Sequence, residues 1–143
     1  MEAKKATVKD KIEEYRKNLE LVRSMSADAT EVFHYIIDLG KKLQGNSLSE
    51  DKRTTHNQVT QCQFNLFVDW EDGEWRAYSD GMISSGYAYI LLDVFNSISP
   101  KQAAQVSLDD FKELGIDELL SMNRSTGFYQ MIDIMRRNAK HVN

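Results

Sequence analysis

Val8, Ile12, Tyr15, Leu19 and Val22 recur at spacings of four and three, one apolar stripe of an amphipathic helix. Glu13, Glu14, Arg16 and Lys17 fall mainly on its solvated side. Thr7 followed by Asp10 resembles a capping box with Asp in place of Glu or Gln, which puts the start there. The small polar run from Ser24 to Asp28 predicts a break. A second helix is predicted over residues 30–44, with Phe33, Ile36, Ile37, Gly40 and Leu43 inward and Gly45 just past its end. Residues 45–56 are polar, charged and aperiodic, which reads as a loop.

Phe64, Leu66, Val68 and Trp70 then alternate, so residues 59–70 are predicted as a half-buried strand, with Cys62 in the same parity. Asp72-Gly73 is a hairpin signal, and 75–78 is the return strand. Ser79 and Asp80 are candidate caps for a helix over 82–95 that is apolar nearly all round and so deeply buried. Ser99-Pro100-Lys101-Gln102 combines an N-cap, a first-turn proline and a capping-box glutamine for a short helix through Val106. Ser107 and Asp110 mark another start and Gly115 a stop. The last helix, 123–140, should bury Phe128, Met131, Ile132 and Met135, with Arg136, Arg137 and Lys140 at the negative end of its dipole. The order α-α-β-β-α followed by helices predicts one α+β domain over 1–143: a small antiparallel hairpin sheet packed against several helices.

Composition narrows the chemistry. A chain of 143 residues with 41% hydrophobic and 28% charged content can bury a sizeable core. Its net charge of −4 speaks against nucleic acid as a partner. With one cysteine there is no internal disulfide and no thiolate metal cage, so no metal or other cofactor is expected. No apolar signal segment follows Met1, and the run Tyr87 to Val94 is too short to span a bilayer, so no membrane partner is expected and the chain reads as cytoplasmic.

Cys62 has two readings from spacing alone: a buried apolar filler, the common fate of a free cysteine, or a thiol offered from a loop mouth. Cysteine–histidine hydrolysis needs a base, and of His34, His56 and His141 only His56 has an approach. Glu71 and Asp72 read as a solvated hairpin tip. Ser84-Ser85-Gly86 lies within a helical pattern and reads as packing, as do Tyr87 and Tyr89.

Several segments, taken in order, resemble the SufE family of sulfur-acceptor proteins, which includes the paralogue CsdE. Tyr35-Ile36-Ile37-Asp38-Leu39-Gly40-Lys41-Lys42-Leu43 is similar to the family's Y-I-I-E-L-G-x-x-L, and Asn57-Gln58-Val59-Thr60-Gln61-Cys62-Gln63 to its N-x-V-x-G-C-Q. Ser79-Asp80 with Ile83 and Gly86 resembles S-D-A-x-I-V-K-G, and Leu120-Ser121-Met122-Asn123-Arg124-Ser125-Thr126-Gly127 resembles L-S-P-S-R-x-N-G.

The resemblance implies a SufE/IscU-like fold and an accessory protein for sulfur transfer rather than an independent enzyme. Cys62 would accept persulfide sulfur from a PLP-dependent cysteine desulfurase of the SufS or CsdA type and pass it to iron–sulfur cluster assembly, with a scaffold protein as candidate recipient. The attacking species is the thiolate, so a nearby cation or the partner should favour ionised sulfur. By position, Gln61, Gln63, Asp80 and Arg124 would support the cysteine loop or the partner contact. Asp80 as a helix cap and Arg124 as a surface residue stand as the plainer alternatives. The chain departs from the pattern at Gln61, where the family has glycine, at Phe64-Asn65-Leu66-Phe67, at Ala77-Tyr78 and at Met122. A glutamine resists backbone shapes open to glycine, so a second reading is a binding or regulatory paralogue that keeps the docking surface without transferring sulfur.

Overall fold

A computed structural model describes residues 2–25, 30–120 and 122–142, without the side chains of 2–7 and 123. Helix α1 runs Glu2–Ser24 and buries Val8, Ile12, Tyr15 and Leu19. It begins ahead of Thr7 because Glu2, Ala3, Lys4, Lys5 and Ala6 are all strong helix formers, which outweighs a single capping signal. The Thr7 side chain and most of the predicted break after Ser24 lie outside the described residues. Helix α2 spans Thr30–Lys41 and passes into a 3-10 turn, Lys42–Asn46, shorter than the predicted 30–44. Gly45 lies inside that tighter turn without a positive φ, so it is not a left-handed helix terminator.

Strand β1, Leu66–Glu71, pairs antiparallel with β2, Glu74–Ser79. Asp72 and Gly73 at the turn have φ of 54° and 84°, a two-residue turn that suits the twist of the strands. The predicted strand start at Val59 is wrong. The Val59 N–H donates to the Leu66 carbonyl at 2.8 Å, so the chain doubles back and residues 60–65 form a loop. Phe64, read as inward from its parity, is 49% exposed for that reason.

Helix α3, Met82–Asn96, is the buried centre of the fold, packed most heavily on α2 and then on β2. The crossing with α2 has no room for side chains: a Cβ on Gly86 would lie 2.1 Å from the Ile36 carbonyl oxygen. On the α1 side, Asp93 of α3 accepts from Tyr15 Oη at 2.6 Å and from Lys11 at 3.3 Å. Short helices α4 (Pro100–Ala103), α5 (Leu108–Lys112) and α6 (Ile116–Leu119) follow; Ser99 and Gln102 form the expected capping box.

Helix α7, Met122–Ala139, closes the core against β1 and α3. Its Asn138 donates to Asn57 Oδ1 at 2.9 Å and to Asp69 Oδ1 at 3.0 Å, which fixes its far end beside the hairpin. A chain of aromatic contacts crosses the interior. Trp75 meets Phe95 at 6.0 Å, Phe95 stacks on Phe111 at 5.9 Å, Phe111 meets Phe128 at 6.4 Å, and Phe128 meets Tyr87 edge-on at 5.7 Å. Such pairs hold rings in fixed orientation as well as burying area. No helix among the described residues is long and apolar enough to cross a membrane.

Candidate functional site

Cys62 is half-buried in the loop between the Val59–Leu66 closure and the hairpin, and packs against the edge of the core. It is a free thiol. Both flanks of the loop are tied down. On the near side, Gln130 of α7 accepts from the Gln61 N–H at 2.7 Å and donates to Thr60 Oγ1 at 2.8 Å. On the far side, both Asp80 carboxylate oxygens accept from Asn65, from its N–H and its side-chain amide, each at 2.9 Å. Cys62, Gln63 and Phe64 lie between these anchors.

The thiol opens onto a pocket of about 350 Å³ lined by Cys62, Gln63, Phe64, Met82, Ile83, Ser84, Tyr87 and Arg124. Arg124, exposed in the first turn of α7, brings the one formal charge among these lining groups. Ser84 is engaged with Ser79, their hydroxyls 2.7 Å apart. The Tyr87 side chain is buried and its hydroxyl faces the Cys62 sulfur. Burial first, and then that sulfur, push the phenol's pKa up, while Arg124 pulls it down. The approach falls short of a well-formed hydrogen bond, and the hydroxyl oxygen has no other partner. Room for this arrangement comes from Gly127: a Cβ there would stand 2.9 Å from Tyr87 Oη and 3.1 Å from the Gln61 carbonyl oxygen.

The structure brings Cys62, Gln63 and Arg124 into one pocket and leaves two of the predicted site residues outside it. Gln61 is exposed, with its backbone held by Gln130. Asp80 lies at the loop's far anchor and is not the helix cap: α3 has Gly81 as N-cap without a side-chain bond, because the Asp80 carboxylate is occupied by Asn65. Ser79 instead shapes the turn, accepting from the Gly81 N–H at 3.1 Å. His56 lines a separate cavity with His141 and Asp69, and among the described residues no histidine lines the pocket beside the thiol, so nothing there supplies the base that the hydrolase arrangement needs. Among the described residues no cluster of His, Cys, Asp and Glu could hold a metal ion.

Sequence reading missed Tyr87, Asn65 and Gln130. A signal for Tyr87 existed: Ile83, Ser84 and Tyr87 share one helical face, so a hydroxyl follows the Ile83 and Ser84 positions onto the pocket. Gln130 and Asn65 carry no such signal, because their bonds join segments far apart in the chain.

Fold and site together define an α+β protein that presents a single thiol from a tethered loop at the lip of a cation-bearing pocket. Residues 14–139 match the family described as SufE, Fe-S metabolism associated domain. The chain belongs to the SufE family, and its role lies in iron–sulfur metabolism.

It is similar to the cysteine desulfuration protein SufE of Plasmodium falciparum, 28% identical over 127 residues that cover 82% of this chain and 50% of that one. The chain thus spans half the length of that relative. An uncharacterized SufE-like protein of Rhizobium etli is 32% identical over 120 residues, covering 76% and 78% of the two chains. The solution structure of a hypothetical protein from Thermus thermophilus shares the fold, with a TM-score of 0.60 at 17% identity, covering 89% and 93%.

Proposed function

We propose that this chain is a sulfur acceptor, taking persulfide sulfur from a PLP-dependent cysteine desulfurase onto Cys62 and handing it to iron–sulfur cluster assembly. The observation that carries the reading is the setting of the chain's one thiol: half-buried at a pocket lip, in a loop anchored on either side. In the transfer, the Cys62 thiolate attacks the outer sulfur of the donor's cysteine persulfide. A new S–S bond forms on Cys62, the donor's S–S bond breaks, and the donor leaves as a thiolate, so no outside oxidant is needed. The Arg124 guanidinium in the pocket suits an anionic sulfur.

Phe64 and Met82, 49% and 68% exposed, line the same pocket, and Met122, 82% exposed, lies two residues before Arg124. An apolar rim of this kind around a reactive group fits a surface covered by a partner during transfer. The chemistry calls for a reducing compartment such as the cytoplasm, where the thiol stays free. Gln61, the departure that motivates a non-transferring paralogue, has no positive φ, so the resting loop holds it without strain.

Incubation with a cysteine desulfurase and sulfur-labelled cysteine, followed by mass spectrometry, tests the proposal. One labelled sulfur on Cys62 is expected. A Cys62→Ser protein should acquire none and should leave desulfurase turnover at its basal rate. Undiminished stimulation and labelling of that variant would refute the reading.

A further inference from the structure

Tyr87 carries a donor that faces the resting Cys62 sulfur without forming a full hydrogen bond to it. The residue is 1% exposed, its ring is set by Phe128, and its hydroxyl oxygen has no hydrogen-bond partner. A tyrosine buried this deeply normally finds one, and phenylalanine would fill nearly the same volume with no donor left over. Tyr87 lines the pocket together with Cys62 and Arg124, and its buried hydroxyl interacts with the Cys62 sulfur. Ser84, the neighbouring hydroxyl, is already engaged with Ser79. Gly127 keeps clear the space against Tyr87 Oη that any side chain would occupy.

We propose that the Tyr87 hydroxyl is the positioning donor for the outer sulfur of a Cys62 persulfide, an assignment that rests on the sulfur-acceptor reading above. A persulfide extends about 2 Å beyond the cysteine sulfur along the new S–S bond. The cavity of about 350 Å³ beside Cys62 has room for that atom. The outer sulfur then accepts a hydrogen bond from the phenol while Arg124 supplies positive charge from the mouth. The proton stays on Tyr87, because burial holds the phenol neutral well above physiological pH. Loading thus replaces the incomplete approach to the thiol with a full hydrogen bond to the outer sulfur. The persulfide is held in one orientation, and its loss to small thiols is slowed.

The test loads Cys62 with glutathione persulfide, so that the outer sulfur passes to Cys62 and glutathione leaves as its thiol. Two readouts follow: the change in melting temperature on loading, and the rate at which dithiothreitol removes the sulfur. In that removal the Cys62 thiol returns, hydrosulfide departs and dithiothreitol closes to its cyclic disulfide. Wild type should melt at a higher temperature when loaded. Tyr87→Phe, no less stable than wild type when unloaded, should lose that increment and release sulfur about tenfold faster, the scale of one hydrogen bond to a charged group.

Wild type that takes up no sulfur overturns both the acceptor reading and this one. Wild type that loads, with Tyr87→Phe matching it in both readouts, overturns the Tyr87 assignment alone. Should the variant fold poorly, fluorotyrosine incorporation with fluorine NMR reads the same group in the native pocket: the Tyr87 resonance must move on loading, and an unmoved resonance overturns the assignment.

Discussion

Asn65 and Asp80 bind one another reciprocally: Asn65 donates twice to the Asp80 carboxylate at 2.9 Å, and the Asp80 N–H donates back to the Asn65 carbonyl at 3.2 Å. Of the two sequence readings of Asp80, a support for the cysteine loop or a helix cap, the geometry favours the first: the residue ties down the loop's far flank. Asp80→Ala removes both side-chain bonds. Because the pair is exposed, the stability cost should be about 1 kcal/mol, while iodoacetamide should alkylate Cys62 several-fold faster. Asp80→Asn, which keeps one acceptor, should fall between. Equal alkylation rates in all three proteins would show that this tie does not restrain the thiol.

Gln130 anchors the opposite flank through Gln61 and Thr60. Gln130→Ala should likewise raise Cys62 alkylation. Gln130→Glu keeps the acceptor for the Gln61 N–H and loses the donor to Thr60, so it should restore most of the protection. Hydrogen exchange at the Gln61 amide reports the same change directly: protection should fall in the alanine variant and persist in the glutamate variant.

Gly127→Ala sets two effects against each other. Alanine favours the helix by about 1 kcal/mol over glycine. Its methyl would meet Tyr87 Oη at 2.9 Å and the Gln61 carbonyl at 3.1 Å, and relieving such overpacking costs about 1–3 kcal/mol. A net loss of stability is expected in urea titration, together with displacement of the cysteine loop. A variant more stable than wild type would mean that the loop yields without cost.

Gly86→Ala offers no such compromise. The Ile36 carbonyl would lie 2.1 Å from the new Cβ, and both partners are backbone of packed helices. The α2–α3 crossing must separate, so loss of several kcal/mol, or no folded protein, is expected by circular dichroism. Full retention of stability would contradict the crossing described above.

Alkaline pH should unfold the protein through its tyrosines. Burial is the leading cause that raises Tyr15, Tyr35, Tyr87 and Tyr129 above the ordinary 10.0, with Tyr129 pushed up to about 12 by burial and then by Asp117. The folded state binds these protons more tightly than the unfolded one. Stability is therefore fully present below pH 10.0 and falls as pH rises from there through about 12. The urea midpoint should decline over that window, with tyrosinate absorbance lagging behind an unfolded control. A midpoint flat across the window would refute this.

Local chemistry made much of the fold readable. The Val8–Ile12–Tyr15–Leu19 stripe, the Asp72-Gly73 turn and the Ser99/Gln102 box are each decided by neighbours within a few residues. The strand start failed because Cys62 and Phe64 keep the alternation of β1 only by coincidence of parity; the Val59–Leu66 bond, invisible in the pattern, turns the chain back between them. At the site, motif order pointed to Cys62, Gln61, Gln63, Asp80 and Arg124, of which Cys62, Gln63 and Arg124 line one pocket while Gln61 and Asp80 lie in the flanks of the loop. What it could not convey were the groups that act across the fold: Gln130 reaching Gln61, Asn65 taking Asp80 from the helix, and the Tyr87 hydroxyl brought to the sulfur by an aromatic contact with Phe128.

A lone thiol also decides how this protein can be damaged. With one cysteine in 143 residues, an oxidised Cys62 has no second thiol among them to close a disulfide with. Its sulfenic acid is left to glutathione, to the thiol of a second copy or to a backbone nitrogen, and otherwise climbs to forms that no thiol reverses. The two anchored flanks therefore bear on damage as well as on transfer: a variant that frees either one should oxidise faster in dilute peroxide than the wild type.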